Sequence, residues 1–230
     1  MSHLVMLDPI PPLAIWVLPV LLAITSDEAA HGYVARHFGD STAYLAGRIS
    51  LNPLRHVDPV GTVLVPLGIY LLSSAGGMPL LFGWAKPVPV EFARLSRPKQ
   101  DMLWVAAAGP GANLVMALAW AIAFKLAWTL PQFAYTVPVS EMARAGVQIN
   151  LVLMVLNLLP IPPLDGGRIA LSLLPHRLAW QFARLERFGF TILLVLLFTG
   201  VLGMLLEPVM DTVKSLLEFA VQIHIPYPSI

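Results

Sequence analysis

Asn157-Leu158-Leu159-Pro160-Ile161-Pro162-Pro163-Leu164-Asp165-Gly166-Gly167 is the stretch from which the fold of this chain can be read. It closes Ala145–Leu164, a run of 20 residues without a charge, which is the length of apolar helix that crosses a bilayer. Its prolines lack the N–H that a helix needs and break it. Broken backbone at membrane depth persists only where protein buries it or where it lines a water-filled cavity. An Asp at such a break is a candidate functional group. Asp165-Gly166 also fits a plain interfacial turn.

Four further charge-free runs flank this one: Ile10–Ser26, Pro59–Ala85, Met102–Phe124 and Phe188–Leu206. Hydrophobic residues make up 57% of the 230 and charged residues 12%, with mean hydropathy +0.76. A soluble domain carries about 25% charged residues, so the chain reads as an all-α polytopic membrane protein, a single membrane-embedded domain over 1–230. Net charge is +1, without a clustered basic face, which excludes nucleic acid as a partner. With no cysteine, any metal must be held by His, Asp or Glu.

The runs predict four transmembrane helices, at 10–37, 102–129, 146–164 and 188–206. The first has no basic residue before it and no clean cleavage site, so it reads as a helix rather than a signal peptide. The run 59–85 is broken by Pro59, Pro66, Pro79 and five glycines. If it enters and leaves on one side, eleven Lys and Arg of the loops fall inside and one, Arg144, outside; if it crosses, they divide eight to four. The positive-inside rule favours the first arrangement. This predicts a re-entrant or hairpin segment at 59–85, an N-terminus outside the cytoplasm and a site opening toward it. Stretches 42–58 and 83–92 read as short extended segments. In the tail, 206–230, polar residues at helical spacing over 207–223 predict a surface helix.

A second ionisable group of residues follows the first run: Thr25-Ser26-Asp27-Glu28-Ala29-Ala30-His31. On a helix Asp27 and His31 share a face, with Glu28 beside them. Thr25-x-x-Glu28 fits a capping box equally well. Taken with Asp165, these residues could build a hydrolytic metal site. Such a site needs about three protein ligands and one open position, here Asp27, His31 and Asp165, and a carboxylate that handles protons, here Glu28. His56 is the one spare imidazole near the spans, and reads as an interface histidine. Asn113 and Asn150, inside apolar runs, read as interhelical hydrogen-bonding residues.

The chain resembles the site-2 protease family of intramembrane zinc metalloproteases, in its small bacterial branch. Asp27-Glu28-Ala29-Ala30-His31 stands where the family carries His-Glu-x-x-His. Asn157–Gly167 matches Asn-x-x-Pro-x-Pro-x-Leu-Asp-Gly. Gly47–Leu54, His56–Thr62, Gly83–Val90 and Ala108-Gly109-Pro110-Gly111-Ala112-Asn113 are similar to further family segments. The resemblance implies one zinc ion, with Glu28 as general base, Asp165 as third ligand, and a transmembrane protein segment as substrate, unwound and cut within the bilayer. It also implies that Asn157 hydrogen-bonds the unwound substrate backbone.

Asp27 departs from the family's first His. Carboxylate oxygen is an acceptable zinc ligand, yet it reaches less far than an imidazole, and a harder donor set favours Mn or another divalent ion more than three-His sites do. Asp27 can therefore be a working ligand, a natural loss of activity that leaves a pseudoprotease binding membrane segments, or an introduced change. A third function class, an ion transporter using Asp27, Glu28 and Asp165 as a path, lacks the internal repeat common in such proteins.

Overall fold

The computed structural model describes residues 12–65, 67–68, 86–131 and 135–227, and all regular structure among them is helical. Helix α1 spans Pro12–His37, followed by the short α2, Thr42–Leu45. The two long apolar helices are α3, Pro98–Thr129, and α4, Thr136–Leu158. Then come α5, Asp165–Leu173, α6, His176–Ala183, α7, Glu186–Phe198, and α8, Val201–Val221. Helices α3 and α4 are long and apolar enough to cross a membrane, and α7 with α8 makes a third span if the pair is taken as one. Helix α1 has the length, but Asp27, Glu28 and Arg36 crowd its C-terminal half.

Several predicted boundaries move. Helix α4 begins at Thr136, ten residues before the expected 146, so Arg144 lies on a helix and the connection shrinks. The same helix stops at Leu158, because Leu159 and Ile161 each precede a proline and are pushed out of helical conformation. The expected helix 188–206 ends at Phe198; Gly200, at φ 75, turns the chain and α8 leaves at 83°. The tail is helical as expected and lies at the surface on one face, where Glu207, Asp211 and Ser215 are exposed. It is part of α8, whose Leu202, Leu206, Met210, Leu217 and Val221 are buried. Even Lys214 is buried, 3.5 Å from Glu218 and lying over the Tyr227 ring.

The extended reading of 42–58 also fails. Asp40 accepts from the backbone and side chain of Thr42 and starts α2. Asn52 accepts from Leu54 N–H and starts a 3-10 turn at Pro53–Arg55. Within 83–92, residues 86–91 are irregular and run beside α1, before a 3-10 turn at Phe92–Arg94. Of 59–85, a π-helical turn at Pro59–Leu64 is described, and most of the expected hairpin lies outside the described residues.

Two packing regimes result. Helices α3, α4, α7 and α8 enclose an apolar cluster that includes Ala117, Ala121, Phe124, Val147, Leu151, Leu206 and Met210. Helix α1 instead packs on α3 and α4, with Ala23 and Ala35 fully buried and Ala35 set against Val105. Small residues let helix backbones come close where lipid offers no hydrophobic drive to associate. Close approach also seats α5. A Cβ on Gly166 would strike the Leu158 carbonyl, and one on Gly167 would come within 2.6 Å of the Pro162 nitrogen. Those two glycines tuck the start of α5, and so Asp165, beneath the broken end of α4.

Candidate metal centre

Helix α1 runs unbroken from Pro12 to His37, so Thr25 is an interior residue and the capping-box reading falls. What the helix does is place Asp27 and His31 one turn apart on its inner face. Asp165, the first residue of α5, comes to meet them. His31 Nε2 lies 3.2 Å from Asp165 Oδ2 and 3.9 Å from Asp27 Oδ2. One donor atom from each of the three residues falls within 4.8 Å of the others. Ligands about 2.1 Å from a tetrahedral ion stand roughly 3.4 Å apart, so the triad needs only small shifts to hold one and would leave a position open.

The surroundings fit a cation. Among the described residues no lysine or arginine pairs with Asp27, Glu28 or Asp165. His31 Nδ1–H donates to the Val105 carbonyl at 2.7 Å, which leaves Nε2 as the ring's free donor pair and fixes its direction. Asp27 is oriented in the same way. Its Oδ1 accepts from Asn113 Nδ2 at 2.8 Å and lies 3.4 Å from Asn157 Nδ2, so Oδ2 is the oxygen turned to His31. The shorter reach of a carboxylate is thus met by amides that hold it in place.

Room for this arrangement comes from Gly109 on α3. A Cβ there would collide with His31 Nε2 and approach Asp27 Oδ1 to 2.7 Å. Gly111, two residues on, faces nothing within 4 Å. Glu28 stands beside the triad without joining it; its Oε2 accepts the Val88 N–H at 2.6 Å, so the segment 86–91 positions this carboxylate.

Asn113 does hydrogen-bond across helices, as expected, and its target is Asp27. Asn150 does not: its Nδ2 donates to Gly146 O within α4. Asn157, expected to bind substrate backbone, has its Nδ2 3.4 Å from Asp27 Oδ1. His56 is outside the triad and buried, with Nε2 on the Ser50 carbonyl at 2.8 Å. Two contributions left no side-chain signature to read: the Val105 carbonyl and the Val88 N–H are backbone groups. Gly109 was visible only as part of a family-like segment.

Residues 132–200 match the profile of peptidase family M50. The chain is 36% identical over 201 residues to a Bacillus subtilis protein named "Putative zinc metalloprotease YwhC", covering 85% of each. It is 31% identical over 184 residues to "Putative zinc metalloprotease Rip2" of Mycolicibacterium smegmatis, covering 80% of this chain and 66% of that one. It is 29% identical over 180 residues to the Mycobacterium tuberculosis (strain H37Rv) protein of the same name, covering 76% and 63%. No solved structure matches.

Proposed function

The chain belongs to peptidase family M50 and is a hydrolase of the metalloprotease class, and from that premise we propose that it is an intramembrane zinc endopeptidase cutting transmembrane segments of other membrane proteins. The observation that carries this reading is the convergence of Asp27, His31 and Asp165 beside Glu28, in a chain whose long helices are apolar. Asp27, His31 and Asp165 hold the ion. When bound, zinc supplies a water of lowered pKa and polarises the scissile carbonyl. Glu28 takes the proton of the attacking water and passes it to the leaving nitrogen. Val88 N–H keeps that carboxylate from turning away. Asn157 offers its side-chain carbonyl to an N–H of the unwound substrate, while its amide faces Asp27.

The proposed topology has four spanning segments, α1, α3, α4 and the α7–α8 pair, in a cell inner membrane with the N-terminus outside. His31 lies six residues before the cytoplasmic end of α1, about 9 Å inside it at 1.5 Å per residue. A reporter fused in the connection between α3 and α4, at Pro131, should then read as extracytoplasmic. In vesicles carrying a tagged single-span substrate, Glu28→Gln should lower cleavage by about 10²–10⁴-fold while zinc content stays at the parent level. Cleavage by Glu28→Gln at the parent rate would refute its role as base.

Asp27 supports a second reading, a homologue that binds membrane segments without cutting them. Asp27→His separates the two. If Asp27 is a working ligand, the parent already holds zinc and cleaves; if the site is impaired, only the His variant does.

A further inference from the structure

Lined by none of the metal-centre residues, an open pocket of about 570 Å³ lies between residues 45–57 and Lys86. Its polar lining is cationic: Arg48, Arg55 and Lys86, with no acidic residue among the lining side chains. Among the described residues none of the three takes part in a salt bridge. The two guanidinium groups are instead aimed by backbone. Arg48 donates to the Lys86 carbonyl at 2.8 Å, and Arg55 to the Gly47 carbonyl. Arg48 Nε is buried and without a partner. Three positive groups thus line one pocket, and among the described residues no carboxylate pairs with any of them.

The rim says what carries that anion. Leu45 and Leu54, which line the pocket, are 76% and 80% exposed, and neighbouring Leu51 is 67% exposed. Leucines so placed suit hydrocarbon. A cationic floor under an apolar rim matches a molecule with an anionic head and acyl chains. Arginine forks match phosphate oxygens in pairs, and basic pockets on the cytoplasmic side of membrane proteins meet anionic headgroups there. The loop 38–58 follows the cytoplasmic end of α1 in the proposed topology, so the pocket faces that leaflet; this placement, but not the charge chemistry, rests on that reading.

We propose that the Arg48–Arg55–Lys86 pocket holds the phosphate headgroup of an anionic membrane lipid. The test uses the full chain in nanodiscs of mixed phosphatidylglycerol and phosphatidylcholine, released and weighed by native mass spectrometry. The parent should retain phosphatidylglycerol in preference to phosphatidylcholine. Combining Arg48→Gln, Arg55→Gln and Lys86→Gln should abolish that preference, at roughly fivefold per charge. Arg55→Lys, which keeps the charge, and Arg177→Gln, an exposed cation elsewhere, should each retain it. Equal retention of both lipids by the parent would overturn the proposal, as would an unchanged preference in the triple variant or a loss in Arg177→Gln. Displacement of the lipid by glycerol phosphate alone would assign the pocket to a soluble phosphate, and displacement by an acidic peptide would assign it to a protein segment. None of these readouts depends on proteolysis, so failure here leaves the protease reading standing.

Discussion

Around Asp27, buried groups meet through directed contacts: amide to carboxylate, ring N–H to carbonyl, glycine against imidazole. Around Leu206 they meet through volume, with Leu, Val, Met and Phe side chains filling the space between α3, α4, α7 and α8. The first region fixes the direction of individual donor atoms, as metal ligation requires. The second fixes only how much space is filled. The two regions share α3 and α4, so one pair of helices is a template on one side and a filler on the other. Substitutions should therefore fail differently in the two halves.

The sharpest contrast lies within one helix. Gly109→Ala puts a methyl onto His31 and Asp27; metal affinity should fall by about a hundredfold or more, beyond what is typical of losing an outer partner. Gly111→Ala, with open space around it, should change nothing. Equal effects in a zinc competition titration would break the comparison. Next in size, Asn113→Leu removes the amide that fixes Asp27 Oδ1 and should weaken metal binding by about 10–100-fold while thermal stability holds within a few degrees. A loss of stability without a loss of metal would make Asn113 a packing residue instead.

In the other half, Leu206→Ala should cost about 2–5 kcal/mol of stability and leave metal affinity at the parent value, which titration and thermal melts on one sample would separate. The smallest effect is expected at Asp40. Burial opposes its charge, but hydrogen bonds from Thr42 and from the Glu91 N–H outweigh that and hold its carboxyl below the usual carboxylate range. A depressed folded-state pKa contributes stability that is present above the ordinary carboxylate pKa and is lost as pH falls through the lowered value. Asp40→Asn should cost about 1–3 kcal/mol at neutral pH and flatten the melting temperature between neutral and acid pH. Parallel pH profiles for parent and variant would rule Asp40 out as that source.

The same division explains what could be read from sequence. Asp27 and His31 were legible because their spacing is local and helical. The break after Asn157 was legible because proline acts on its own backbone. Asp165 was legible as a charge set at that break and so as a partner for Asp27 and His31, although its pairing with His31 spans a separation that no local pattern encodes. The start of α4 was missed because Thr136, Ser140, Glu141 and Arg144 read as loop, whereas Thr136, Ser140 and Ala143 are buried on one helical face. The tail was read as a helix, but its packed inner face was not. Glu207, Asp211, Lys214 and Glu218 carry the polar periodicity, yet Leu206, Met210 and Leu217 hold the inner face, and Lys214 is buried under Tyr227.

The central claim is that Asp27, His31 and Asp165 form one metal site. Elemental analysis of the purified chain beside His31→Ala and Asp165→Ala tests it most directly. The account predicts close to one zinc per parent chain and loss of it in each variant, with the fold retained. Zinc at the parent level in both variants, or a parent that takes up no divalent metal under any loading condition, would contradict it.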